Sequence, residues 1–297
     1  MNDTKFDKLL ILLFRLGAFF CFAGWTWTHL YWEGPYGILL WQDSTYDFAQ
    51  SFGFDWDAFV GSGSNDGIIQ KSISLIGWLY LACAVLCLSV RKDSRYQKIA
   101  LVGGFGLFAS LFYAQYAAAQ RQLPMLVEHG GQMLSPLLLI MALTYGPRHR
   151  ITLATALVGF IATFAGHGAY AVNLWPTPSS FYGMTSNILS VDHSAAKSLL
   201  LVFGIFDFIV CIGIFTPAIR KYCAFYGFAW GLLTAIARPV AGMSVSLNYW
   251  GADLFLHEAI LRSPHFIIPL CLYLIWNQPS ADKRFKISRD LPTQSLA

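Results

Sequence analysis

Long apolar stretches recur along almost the whole chain and are separated by short polar segments. A helix needs about 20 consecutive apolar residues to cross the hydrocarbon core of a bilayer. Eight stretches meet that length, so the pattern predicts an all-α integral membrane fold with about eight transmembrane helices. The predicted spans are 9–30, 70–90, 98–119, 124–146, 151–172, 197–217, 222–245 and 253–276.

The composition agrees with this prediction and excludes a pair of soluble domains. Of the 297 residues, 56% are apolar and 12% are charged, against roughly a quarter charged in soluble proteins. Arg15 and the polar, aromatic stretch 25–29 do not look like a cleavage region, so the first span is expected to stay uncleaved. The basic residues form short clusters at span ends, so the lipid bilayer is the expected partner and nucleic acid is not.

The distribution of lysine and arginine predicts the orientation in the membrane. The loops 31–69 and 173–196 contain neither residue. With eight spans, every basic cluster falls on one side, which is the cytoplasmic side by the positive-inside rule. We therefore predict a multi-pass protein of a bacterial-type cytoplasmic (inner) membrane, with both termini cytoplasmic. The clusters lie within 5–8, 91–98, 148–150, 220–221 and 283–289.

Similar short motifs follow one another in the two halves of the chain, and this indicates an internal duplication. The order predicts two parallel four-helix repeats, residues 1–146 with the long outer loop 31–69, and residues 147–277, followed by a cytoplasmic tail 278–297. The matching pairs are His29–Tyr31 with His167–Tyr170, Lys71-Ser72 with Lys197-Ser198, and His129 before Ser135-Pro136 with His257 before Ser263-Pro264.

This architecture resembles the DoxX/DoxD/MauE-like family of four-helix membrane proteins, here as a tandem pair. The resemblance is carried by Arg15-Leu16-Gly17 in the first span, by the His-Gly-x-Tyr motif at 167–170, and by the four-span unit. The resemblance implies a role as a membrane subunit in quinone-linked sulfur oxidation or in the maturation of periplasmic redox proteins. The early arginine of the first span is also similar to the transmembrane region of vitamin K-dependent carboxylase-like proteins.

Four histidines are predicted to lie near the outer face as two symmetry-related pairs. Imidazole binds zinc, copper or haem iron, so a metal or haem site is one possibility. Direct chemistry or contact with a quinone is another, and hydrogen bonds that join neighbouring helices are a third. The histidines are His29, His129, His167 and His257, and the flanking Glu128 and Glu258 are candidate ligands or proton acceptors.

Two further pairs of charged residues fall within or beside the predicted spans. A charge inside a span costs roughly 2.5–3.5 kcal/mol on insertion scales, and it therefore usually has a partner. Asp207 and Arg238 are predicted at similar depths, either as a structural ion pair or as a substrate or proton site. Lys71 and Lys197, at the outer starts of two spans, are either anchors at the interface or ligands for an anionic group.

Three smaller predictions concern cysteine, proline and a local ion pair. All six cysteines fall in or beside apolar segments and are expected to be buried free thiols. Pro136 and Pro264 are expected to bend the fourth and eighth spans. Glu258 and Arg262, four residues apart, are expected to pair on one helix face.

Three functional hypotheses remain from the sequence. The first is a redox or quinone-linked membrane oxidoreductase or accessory subunit, with an apolar substrate in an outer pocket lined by the histidines, Asp207 and Arg238. The second is a small-molecule or ion transporter that uses Asp207 and Arg238 as its coupling pair. The third is an assembly factor that binds a membrane or periplasmic protein through the loop 31–69. We prefer the first and leave open whether the chain is itself an enzyme.

Overall fold

The structure is a computed structural model that describes residues 3–62, 65–243 and 251–278. Its long helices are α1 (Asp3–Trp27, continued by a π-helical turn at Thr28–Trp32), α5 (Ile68–Ser89), α6 (Arg95–Ala118), α8 (Gly130–Tyr145), α9 (Arg150–Ala171), α11 (His193–Gly213) and α12 (Arg220–Gly242). The shorter helices are α2 (Gly37–Leu40), α3 (Asp43–Ser51), α4 (Trp56–Val60), α7 (Leu123–Glu128), α10 (Ser179–Leu189), α13 (Ala252–Leu261) and α14 (Ser263–Trp276). The predicted tail from 279 onward and the end of the predicted seventh span lie outside the described residues.

The all-α membrane architecture is confirmed in its coarse form. Within the described ranges, seven helical segments are long and apolar enough to cross a membrane. An eighth segment consists of α13 and α14, which meet at an angle of 41° and together pass the same test. The chain is therefore built as a multi-pass membrane protein, and eight spans are reached if α13 and α14 cross the bilayer together.

The fourth and eighth apolar segments are both interrupted in their N-terminal half. His129 separates α7 from α8, and Arg262 separates α13 from α14. Pro264 lies in the first turn of α14, where a backbone N–H has no acceptor within the helix, so proline costs no hydrogen bond. The expected bend occurs at this position. Helix α8 runs through Pro136 without interruption. The interruption of this segment lies at His129, and the bend expected at Pro136 stays a prediction.

Helix α1 packs against four other helices, which are α5, α8, α13 and α14. Its Arg15 donates to the carbonyls of Cys87 at 2.8 Å and Val90 at 2.6 Å, at the end of α5. Its Trp25 Nε1 donates to Gln132 of α8 at 2.9 Å. Helix α9 packs in the same way against α7, α8 and α11, while α12 packs against α13 and α14. The core therefore lies where α1, α8, α9 and α14 meet.

Two glycines allow broken segments to approach their neighbours closely. A Cβ at position 166 of α9 would collide with the backbone of Glu128 at the end of α7. A Cβ at position 231 of α12 would collide with the carbonyl of His265 in α14. These contacts hold Glu128 and His265 beside α9 and α12, where the candidate site lies.

The six cysteines are free and buried, as expected from the sequence. The loop that follows α1 contains α2, α3, α4 and a short antiparallel pairing of Gly61–Ser62 with Asn65–Asp66. The loop between α9 and α11 contains α10, which packs across α11 and α12. This last contact forms one wall of the site.

Candidate functional site, a cavity between four helices

A cavity of about 400 Å³ lies between α9, α10, α11 and α12, and its wall is mostly apolar. Helix α10 contributes Phe181, Met184 and Ile188, which share one face because they are spaced by three and four residues. Phe203 of α11 and Trp230 of α12 stack with ring centroids 4.2 Å apart and also line the cavity. This volume and lining are typical of small-molecule sites.

The polar end of the cavity is formed by His167, Arg238 and Arg262. Arg238 Nη1 lies 3.2 Å from Glu258 Oε2, and Arg262 Nη1 lies 3.3 Å from the same oxygen. Arg262 also donates to the Glu258 carbonyl at 2.8 Å. The pairing of Glu258 with Arg262 expected from the sequence is confirmed. One carboxylate oxygen is thus shared by two guanidinium groups.

The predicted pairing of Asp207 with Arg238 is wrong. Both side chains line the cavity, but Arg238 is bound to Glu258, which the sequence did not predict as its partner. Asp207 is 2% exposed, and the Tyr226 hydroxyl donates to its Oδ1 at 3.5 Å. The physical reason is that α13 places Glu258 next to Arg238, near the end of α12. Asp207 lies next to Tyr226, near the beginning of α12. Asp207 is therefore a buried carboxyl group at the apolar part of the cavity wall.

His167 connects the cavity to a second buried carboxyl group. Its Nδ1 lies 3.8 Å from Glu128 Oε2, and its ring lies 5.6 Å from that of His265, centroid to centroid. The Glu128 Oε2 atom is buried and has no hydrogen-bond partner among the described residues. The residues Glu128, His167 and His265 therefore form a polar cluster behind the Arg238 and Arg262 end of the cavity.

Of the other three predicted histidines, His129 lies beside the same cluster, with its Nδ1 atom 3.8 Å from Glu128 Oε1, whereas His29 and His257 contact other residues. His29 donates from Nδ1 to the Trp25 carbonyl at 2.7 Å and packs against Tyr80 at 4.9 Å between ring centroids. His129 bonds the Met125 carbonyl at 2.6 Å. His257 lies between two tryptophan rings, 6.1 Å from Trp27 and 6.0 Å from Trp32. The sequence aligned these histidines along the helices but could not tell which helix each ring would face.

The loop after α1 closes over His29. Tyr36 packs against the His29 ring at 5.5 Å between centroids, and its hydroxyl lies 3.5 Å from that of Tyr80. Burial raises the pKa of the Tyr36 hydroxyl above its ordinary value. The region around His29 is thus filled by side chains of the protein itself.

The other predicted ligands are also separated from the cavity. Among the described residues, no group of three or more His, Cys, Asp or Glu side chains lies close enough to hold a metal ion. Lys71 and Lys197 are exposed near the starts of α5 and α11 and do not line the cavity. The predicted site residues that the fold brings to the cavity wall are His167, Asp207 and Arg238.

Sequence reasoning missed α10, Trp230 and His265. The spacing of Phe181, Met184 and Ile188 would have indicated an amphipathic helix within the loop 173–196. Trp230 gives no signal in an already apolar span, and His265 has no counterpart in the matching motifs. Their importance depends on which helices become neighbours.

The cavity combines an apolar, partly aromatic wall with hydrogen-bond donors at one end. Leu233 on its rim is 60% exposed, on a helix suited to cross a membrane, so the rim faces the lipid phase. Such a cavity can hold an elongated apolar molecule whose polar head contacts His167 and the two arginines. Comparison of the chain with models of protein families, with curated sequences and with solved structures finds no significant match.

Proposed function

We propose that this chain is a membrane protein that binds a small lipid-phase molecule in the cavity between α9, α10, α11 and α12. The proposal rests on one observation, which is that the wall of the cavity is mostly apolar but contains His167, Arg238 and Arg262 at one end. Within that class, a quinone-linked redox or accessory role of the DoxX-like type is the first candidate. It is favoured by the stacked Phe203 and Trp230 rings, which offer a flat surface for a quinone ring.

The two-repeat architecture belongs to the same proposal. Its support is that the fourth segment of each predicted half packs on the first segment of the other. Helices α7 and α8 contact α9, and α13 and α14 contact α1. In this arrangement the cavity lies in the second half, and the corresponding region of the first half is filled by Tyr36 and Tyr80.

The proposed orientation has both termini on the cytoplasmic side of a bacterial-type inner membrane. Arg148, between the fourth and fifth segments, pairs with Asp7 at 2.7 Å and with Asp3 at 3.4 Å. The start of α1 and the turn between the halves therefore lie at one end of the bundle. The cavity's polar end, next to the end of α13 and the start of α14, then lies in the outer half of the membrane.

The test is a titration of the detergent-purified protein with a short-chain quinone, followed by tryptophan fluorescence. Trp230 lines the cavity, so we expect saturable quenching that is reduced in Trp230→Phe. The matched control is Trp78→Phe, because Trp78 is 58% exposed on α5 and does not line the cavity. Native mass spectrometry and an absorption spectrum of the same preparation report any co-purified quinone, haem or metal.

Two results would count against this function. Equal quenching in Trp230→Phe and the unsubstituted protein would place the quinone outside the cavity. Purified protein without a bound small molecule, and without saturable binding of any lipid-phase compound, would remove the basis of the proposal.

A transporter is the second candidate, and Asp207 favours it. A carboxyl group that is 2% exposed within a span and lines a cavity is typical of substrate or proton pathways. Arg238 pairs with Glu258 instead, so the Asp207 carboxyl group would act without an arginine partner. Substrate uptake by proteoliposomes that is lost in Asp207→Asn, while quinone binding is unchanged, would support transport over the redox role.

A further inference from the structure

We infer that the ligand of this cavity is an anionic amphiphile, in which a carboxylate or a phosphate group is attached to a long hydrocarbon chain. The inference rests on the proposed function, because it requires that the cavity bind a lipid-phase molecule. It goes further by assigning the charge of the head group and the residues that bind it.

The first argument is the balance of charge at the polar end. Arg238 and Arg262 both line the cavity, and both bind the same Oε2 atom of Glu258. One negative charge therefore lies between two positive charges. The second nearby carboxyl group, Glu128, is next to His167 and is not among the residues that line the cavity. The cavity wall itself carries an excess of positive charge at this end.

The second argument is the number of unused donors. A guanidinium group has five N–H donors. In the described part of the chain, the side-chain hydrogen bonds of Arg238 and Arg262 all leave from Nη1 atoms. The Nε and Nη2 donors of both arginines have no partner among the described residues and can bind a ligand. Carboxylate and phosphate groups suit this geometry, because their oxygens accept two parallel bonds from one guanidinium group.

The third argument concerns the chain and its direction. Beyond the arginines, the wall consists mainly of aliphatic and aromatic side chains, including Leu199, Phe203 and Ile236. Asp207 also lines the cavity, but its hydrogen bond is with Tyr226, and the described ion pairs of Arg238 and Arg262 are with Glu258. An anionic head therefore has partners at one end of the cavity, and the hydrocarbon chain extends along α11 and α12 toward the lipid-facing rim.

The experiment compares ligands that share a chain but differ in the head group, with full-length protein in detergent or nanodiscs. Palmitate and hexadecyl phosphate are expected to bind at least about tenfold more tightly than hexadecanol. Butyrate and inorganic phosphate test the head group without the chain, and neither is expected to compete with palmitate. Arg238→Gln is expected to reduce palmitate binding to the level of hexadecanol.

A gain of affinity separates ligand binding from structural damage. Glu258→Gln removes the shared carboxylate, so both guanidinium groups gain free donors and the local positive charge rises. We expect Glu258→Gln to bind palmitate several-fold more tightly while hexadecanol binding stays unchanged. A variant that has merely lost its structure would bind both ligands less tightly.

The outcomes distinguish this inference from the proposed function. Equal binding of palmitate and hexadecanol, or binding of a neutral quinone with no effect of Arg238→Gln, overturns the inference and leaves the cavity as a lipid-phase site. Competition by inorganic phosphate as strong as by palmitate overturns the assignment of an amphiphile. Failure of every long-chain compound and quinone to bind overturns both proposals.

Discussion

Arg238 on α12 donates a 3.2 Å hydrogen bond to the carboxylate of Glu258 on α13. This contact joins α12 to α13 at the polar end of the cavity. It also leaves Asp207 outside the ion pair that similar depth along the helices had suggested. The strength of this contact can be measured separately from that of its neighbours.

A double-mutant cycle tests the pairing directly. Arg238→Gln and Glu258→Gln should show a coupling energy of about 1 kcal/mol or more in the free energy of unfolding, because each removes the partner of the other. The cycle of Arg238→Gln with Asp207→Asn should show coupling near zero. Thermal or denaturant unfolding in detergent provides the measurement. Strong coupling between Asp207 and Arg238 would contradict the observed arrangement.

Arg15 is expected to stabilise the end of α5 rather than to act on a ligand. It donates to three carbonyl groups, those of Cys87, Leu88 and Val90. Arg15→Gln should lower the free energy of unfolding by about 2 kcal/mol, because hydrogen bonds to a charged group are lost at a helix end. Hydrogen exchange should become faster at residues 86–90.

The control for Arg15→Gln is Lys92→Gln, because this substitution removes a charge of the same sign at an exposed position just beyond α5. If both substitutions change exchange at 86–90 equally, the effect is one of general charge and not of the capping bonds. Quinone or fatty-acid binding should persist in Arg15→Gln protein that remains folded.

Gly166→Ala is expected to displace Glu128. A Cβ at this position would meet the backbone of α7, so the two segments must separate, at a cost of about 2 kcal/mol in stability. The matched control is Gly103→Ala on α6, where a Cβ would meet nothing within 4 Å. Alanine there should be neutral or slightly stabilising, because it favours the helix. Thermal unfolding of the two variants gives the comparison, and equal midpoints would refute the close contact.

The six cysteines should resist modification in the folded protein. All of them are buried, so a maleimide added to the detergent-solubilised protein should label them slowly. Ser44→Cys on the exposed surface of α3 should react rapidly and serves as the positive control. Rapid labelling of the unsubstituted protein, before any denaturant is added, would show that a thiol is accessible.

Apolar length predicted the long helices of the fold in advance. The predicted first span, 9–30, corresponds to α1 and its π-helical turn, and the predicted second span, 70–90, corresponds to α5. Apolar stretches of this length identify helices because backbone hydrogen bonds must be satisfied within the segment in a membrane. The buried thiols followed from the position of the cysteines in apolar segments. The Glu258–Arg262 pair followed from the spacing of four residues on one helix.

Tertiary structure decided the site. Residues on one helix, such as Glu258 and Arg262, have a spacing that fixes their distance, so their contact could be read from the sequence. The partner of Arg238 depends on which face of α12 meets α13, and the partner of His167 depends on how α7 approaches α9 at Gly166. Sequence by itself determined where the long apolar helices lie along the chain. The rotation and close packing of those helices decided which charges pair, and the folding of α10 against α11 and α12 decided where the cavity lies.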